Sequence, residues 1–312
     1  SAAINISGVL TPKALYLMNP KGHDYQFAGT GSLSGTMTLT KGMQGTAIFN
    51  TPFDFTGKTV ISEGTLAVNS TIAGPVYLMS RGTLAGNPVL NGNIYFEGAL
   101  DYTGCRLSPG TADSKYGVIT VNHDLTLPGD VYVETDINTA NSKIDQLVVK
   151  GNLTLKGTTT FTIDADVTQL PAGTYTLATC TGTLTANASD IVIKNADGVP
   201  YTVQVGEHDI KLLVDVQRAA STGVTWKGST SGNWDYLSKN FQLNQADSYF
   251  VTGDEVTFDD QATNYNLTLS GKVIPAKVTF NNTNKYTLQG DGNISGTCDL
   301  IKNGTGELRI AM

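Results

Sequence analysis

The chain is poor in charge. Only 15% of its 312 residues are Asp, Glu, Lys or Arg, against roughly a quarter in ordinary soluble proteins. The 20 basic residues are scattered singly among 27 acidic ones, and the net charge is −7. There is no basic stripe to hold a phosphate backbone or an anionic membrane surface, so no nucleic-acid partner is expected. No apolar run is long enough to span a bilayer, so no membrane insertion of this segment is expected either. Cysteine is scarce: Cys105, Cys180 and Cys298 are odd in number, far apart and without a C-x-x-C pair. That argues against a disulfide framework and against a zinc site. Helical periodicity is also missing, since no segment keeps a 3.6-residue pattern over three turns. Only 187–190 and 235–240 leave room for a turn of helix.

What is abundant is glycine, at 34 residues, in company with Thr, Asn and Ser. Thr and Val favour strands, while Gly and Asn favour the tight turns between them. GTLAV at 64–68 and GTLAG at 82–86 are short runs with apolar residues at spacing two, VYVETDI at 131–137 reads as a strand, and Ile210, Leu212, Val214 and Val216 alternate in DIKLLVDV at 209–216. That is the period of a strand with one buried face. An all-β chain of short strands is compatible with a sandwich, a propeller or a solenoid. The Gly-flanked G-x-L-x-V units favour a parallel β-helix, in which stacked coils make the core.

One stretch occurs twice. YQFAGTGSLSGTMTLTKGMQG at 25–45 aligns without a gap to YTLQGDGNISGTCDLIKNGTG at 286–306. Gly29, Gly31, Gly35, Lys41 and Gly45 answer to Gly290, Gly292, Gly296, Lys302 and Gly306. Upstream, with a two-residue slip, Ile4, Ile6, Ser7, Gly8 and Leu10 answer to Leu267, Leu269, Ser270, Gly271 and Val273. Such long self-similarity signals a repeat architecture of roughly 260 residues per unit. The expected organisation is 1–217 as the end portion of one unit, 218–223 as a short linker and 224–312 as the opening of the next. The shared glycines are expected at turns needing positive φ or close approach. Lys41 and Lys302 are expected at the surface, and Cys298, standing where the first copy has Met37, as a buried small side chain.

Several of these residues resemble the autotransporter-associated β-strand repeat. They are Trp226 and Trp234-Asp235, Gly253-Asp254 with Val256, Phe258 and Asp259, Val278 with Phe280, Tyr286 to Gly290, and Gly304 with Gly306 and Leu308. Leu107 to Gly110, 117–121, 145–151 and 172–175 look like the distal part of the same passenger-type unit. The resemblance covers most of the chain. It implies a right-handed β-helix exported to the surface of a Gram-negative-type cell. The family often carries a third Trp near Phe241, so Phe241 is expected to take that packing role.

The chemistry-bearing candidates each have a plainer reading. Asp254, Glu255, Asp259 and Asp260 form the best acidic group for a calcium-dependent lyase. The plainer reading is a strand with a polar outer face ending in an Asp-rich turn, where mutation has only modest effects on stability. Asp164 and Asp166 read as a solvated loop. His23, His123 and His208 are far apart and lack the neighbours of a triad, so they read as surface-loop side chains. Trp226, Trp234 and Tyr236 are weak candidates for stacking on sugar rings; the alternative is a hydrophobic plug. No catalytic residue, metal or cofactor is expected.

The functional expectation is a cell-surface or secreted structural or adhesive β-solenoid segment. Its partner would be extracellular polysaccharide or a host or cell surface. The alternative is a non-catalytic carbohydrate-binding accessory module of a glycan-degrading enzyme, with a lyase as a more distant reading. The segment is expected to be cut from a longer protein, because the first copy runs on past Phe49 while the second ends with Leu308, Ile310 and Met312 still alternating.

Overall fold

The computed structural model describes residues 2–97, 104–111, 114–167, 170–196, 199–215, 218, 221–269 and 271–312. Val216, Ala219, Ala220 and Ser270, named in the expectations above, lie outside them. The chain forms two compact units. Ser1–Val167, Thr174–Asn195 and Val203–Leu212 make the first; Thr168–Gly173, Ala196–Thr202 and Leu213–Met312 make the second. The fold is nearly all β, as expected, and its sheets are mainly parallel.

In the first unit the chain revisits the same sheet with every third strand. Ala2–Asn5, Tyr25–Ala28, Thr46–Phe49, Gly64–Val68, Gly82–Gly86, Cys105–Pro109 and Val131–Asn138 are successive neighbours in one sheet. Val9–Leu10, Ser32–Gly35, Phe53–Phe55, Thr71–Ile72 and Val89–Leu90 follow one another in a second. Ala14–Met18, Thr38–Gly42, Thr59–Ile61, Val76–Met79 and Ile94–Glu97 make a third. The pleat sends alternate side chains to opposite faces. Leu66, Leu84, Leu107, Val133 and Phe161 therefore form one inward row in register, each almost fully buried. Each such side chain contributes about 1.5–3 kcal/mol by leaving water. Phe27 stacks on Phe49 with ring centroids 4.1 Å apart. Turn asparagines bridge neighbouring strands: Asn69 Nδ2 donates to Asn50 Oδ1 at 2.7 Å, and Asn122 Nδ2 to Asn91 Oδ1 at 2.6 Å.

The second unit is built the same way. Gly223–Trp226, Glu255–Asp259, Lys277–Asn281 and Asp299–Asn303 stand side by side in parallel, as do Asn233–Trp234, Asn266–Leu269, Tyr286–Gly290 and Leu308–Ala311. Its core is Trp226, Trp234, Phe241, Phe250, Phe258, Phe280 and Tyr286 with the branched aliphatics between them.

The two copies of the sequence repeat make the same pairings. Ile4 pairs with Phe27 as Leu267 does with Leu288. Leu10 pairs with Leu33 as Val273 does with Ile294, and Ala14 with Thr38 as Lys277 does with Asp299. Gly29 and Gly290 share a left-handed φ of 121° and 119°. An added Cβ there would strike the backbone of Ile6 in one copy and Leu269 in the other, which are themselves equivalent.

Two details differ from expectation, residues 235–240 and Cys298. Of the two possible helical turns, Ala188–Asp190 is a single 3-10 turn. Residues 235–240 instead bend around the Asp235 carboxylate, which accepts from the amides of Leu237 and Ser238 at 2.9 and 2.6 Å. Cys298 is half-buried, whereas Met37 is buried, because Phe53–Phe55 and the residues after it pack beyond the first copy.

Candidate functional site

The aromatic candidates lie inside the second unit. Trp226 and Trp234 are fully buried and Tyr236 is 7% exposed. Trp226 Nε1 donates to the Asn264 carbonyl at 2.7 Å. Phe241 packs edge-on against Trp226 at 5.2 Å and Trp234 at 6.3 Å. Tyr236 Oη meets Thr252 Oγ1 at 3.1 Å and accepts from the Ile274 amide at 3.2 Å. As packed, the two indoles present no ring face to solvent, so they form core rather than a sugar platform.

The acidic group divides. Glu255 and Asp259 share the outward face of their strand, as alternation requires, with Val256 and Phe258 inward. Asp260 is a turn cap, accepting from the amides of Thr283 and Asn284 at 2.9 Å each. These donors hold its carboxyl below the usual carboxylate range, the Asn284 amide first. Asp254 is no surface residue: it is completely buried. Its Oδ2 accepts from Arg218 Nη2 at 2.5 Å and the Val251 amide at 2.8 Å, and its Oδ1 from the Thr222 amide at 3.0 Å. Modest effects on mutation therefore do not extend to Asp254, because its removal leaves two amides without their acceptor and takes the carboxylate from beside the Arg218 guanidinium. The same contacts tie Arg218 and Thr222, read from sequence as linker residues, to the strand that follows.

Lys41 corrects another expectation. It is fully buried. Its Nζ donates to the carbonyls of Gly42 at 2.8 Å, Met43 at 2.7 Å and Glu63 at 3.3 Å. Desolvation pulls its pKa from 10.5 down to about 8, against the attraction of Glu63 and Asp24. Lys302 is exposed as expected, and it makes the two equivalent contacts within its own turn, to Asn303 and Gly304. What differs is the third acceptor, which comes from the next pass of the chain. A further equivalent pair escaped the sequence reading. Asn19 and Asn282 are both buried, and their Nδ2 atoms donate to the carbonyls of Thr46 and Glu307, which are themselves equivalent.

Asp164 is not in a loop. It lies on Thr159–Ala165 in register with Asp136 on Val131–Asn138. Lys115 bridges them, with Nζ 2.9 Å from Asp164 and 3.5 Å from Asp136. Burial pushes the Asp136 carboxyl up to about 6, while the Lys115 hydrogen bond holds Asp164 below its ordinary value. Neighbouring Asp145 is buried and accepts from the amides of Gly117 at 2.6 Å and Asp136 at 3.0 Å. Burial outweighs these donors and lifts its pKa to about 7. Lys115 also borders a cavity of about 440 Å³ whose floor includes Thr46, Thr65, Ala67 and Ala85. The charges here are spent largely on one another, which makes the cluster a clamp between strand and loop. The sequence signal was the 28-residue spacing between two similar strands, VYVETDI and TTFTIDA.

The histidines stay apart. His123 Nε2 lies 2.6 Å from the Asn91 carbonyl and His208 Nδ1 2.8 Å from that of Gly182. Among the described residues no three His, Cys, Asp or Glu side chains converge on a metal position. No family model matches the chain, and no curated protein matches it.

Proposed function

We propose that this chain is a non-catalytic interaction segment, a right-handed β-solenoid of the autotransporter-associated β-strand repeat kind, displayed outside the cell as part of a larger surface or secreted protein. The observation that carries the reading is the recurrence of three strand pairings, in identical register, in both copies of the repeat. A chain that returns to the same sheets by the same path stacks its coils into a continuous core and leaves outward rows as display surface. One such row is Tyr16, Thr40, Val60, Tyr77 and Tyr95, in register across five strands. Two of the carboxylates that suggested a lyase, Asp254 and Asp260, are occupied as structural ligands of backbone amides, which supports a scaffold over a catalyst.

Incubating the intact chain with polygalacturonate and calcium tests this reading. No release of unsaturated uronate is expected. Turnover abolished by substituting Asp254, Asp259 or Asp260 in a folded variant would sink it. A glycan array then separates a plain stalk from a carbohydrate-binding segment. The second reading is favoured by one feature of the first unit, the open cleft beside Tyr95.

A further inference from the structure

Among the described residues, the third sheet of the first unit ends at Ile94–Glu97. Leu125–Leu127 belongs to a separate sheet, in which it pairs with Leu153–Leu155 and that strand in turn with Leu184–Thr185. Between the two lies a cavity of about 640 Å³, within the usual range for small-ligand pockets. Asn93 and Tyr95 border it on one side, and Asn122, His123, Asp124 and Thr126 on the other.

Tyr95 is 42% exposed. One face of its ring is stacked on Tyr77, with centroids 5.0 Å apart and planes 25° from parallel. Among the described residues Ile94–Glu97 is the last strand of its sheet, no other ring stacks on Tyr95, and the side chain lines the cleft. Asn93 Nδ2 donates to Tyr95 Oη at 3.1 Å and holds the ring. The facing wall is held as firmly. Asp124 Oδ1 accepts from the Asn152 amide at 2.7 Å and Oδ2 from Asn152 Nδ2 at 3.2 Å, while Asn122 and His123 are anchored on Asn91. Side chains already fixed by neighbours lose little freedom on binding.

The chemistry of this cleft is selective. A flat aromatic face accepts the C–H face of a pyranose ring. A carboxylate accepts from vicinal hydroxyls and an amide donates to them, so Asp124 and Asn122 match the same ligand. Asp124 makes the site hostile to uronates and phosphates, in a chain of net charge −7. We propose that the cleft between Tyr95 and Asp124 is a binding site for a neutral hexose glycan, with one sugar ring stacked on Tyr95 and its hydroxyls held by Asp124 and Asn122. This deepens the reading of an interaction segment and rests on it.

Titrating the whole chain with cellohexaose and maltohexaose tests the proposal, by calorimetry and by amide chemical shifts. Binding of at least one, with shifts centred on residues 93–95 and 122–126, is expected. Tyr95→Ala weakens it about tenfold or more, Tyr95→Phe by threefold or less, and Asp124→Asn about fivefold. Polygalacturonate does not compete. The proposal is overturned if neither oligosaccharide binds, if the shifts map elsewhere, if Tyr95→Ala binds as wild type, or if polygalacturonate competes equally. Should Tyr95→Ala fail to fold, Asp124→Asn decides: unchanged affinity in that variant also overturns it. Any of these failures leaves the scaffold reading intact, since that reading falls only on catalytic turnover.

Discussion

Lys41 and Lys302 offer an internally controlled experiment, because the repeat places the same residue in the same local turn with opposite burial. Lys41→Met keeps most of the side-chain volume and removes the ammonium. The carbonyls of Gly42, Met43 and Glu63 then lose their donor. Hydrogen bonds to charged groups are worth about 1.5–3 kcal/mol each. The desolvation of Lys41 offsets much of the sum, so a net loss of about 2–4 kcal/mol is expected. Lys302→Met removes two contacts at an exposed site and should cost about 0.5 kcal/mol or less. Urea unfolding gives the totals. Hydrogen exchange at the amides of Gly45 and Ser62, which bond across this region, localises the loss to the first unit. The pH dependence supplies an independent arm. The folded pKa of Lys41 lies near 8 and its ordinary value at 10.5. Between those values the unfolded chain holds a proton that the folded chain has released. Stability therefore rises with pH through that window, and Lys41→Met abolishes the rise. Equal losses in the two variants, or a pH profile indifferent to Lys41→Met, would refute the reasoning.

Other outcomes follow from the same contacts. Asp254→Ala should cost about 3–5 kcal/mol by removing a fully buried carboxylate and leaving the amides of Thr222 and Val251 without their acceptor, whereas Glu255→Ala, on the exposed face next door, stays within about 0.5 kcal/mol; similar denaturation midpoints for the two would contradict the buried carboxylate. Asp145 titrates near 7 in the fold against 3.8 ordinarily, and Asp136 near 6. Between pH 4 and 7 the folded chain keeps protons that the unfolded chain has released, so stability falls as pH rises, and Asp145→Asn flattens the profile. Both tryptophans should emit as buried indoles and resist acrylamide quenching, with or without added oligosaccharide. Trp226→Phe should cost about 1 kcal/mol more than Trp234→Phe, because only Trp226 donates to a carbonyl, that of Asn264.

The sequence by itself determined the local features. Alternation in VYVETDI marks a strand because the pleat has a period of two, and the run carries its own inward face. Equivalent glycines fall at equivalent turns because φ is a property of the residue and its immediate neighbours, as Gly29 and Gly290 show. The inward placing of Val256 and Phe258 was legible for the same reason. Tertiary structure alone decided burial and encounter. Lys41 and Lys302 sit in matching sequence, yet only Lys41 is covered, by a pass of chain that brings in Glu63 some twenty residues later. Asp254 reads as the start of a surface strand until Arg218 closes on it from 36 residues away. Tyr95 and Asp124 face one another only because one sheet stops where another begins. Such effects depend on which pass of the chain lies against which, and desolvation and pairing are set by those neighbours in space rather than by neighbours along the chain.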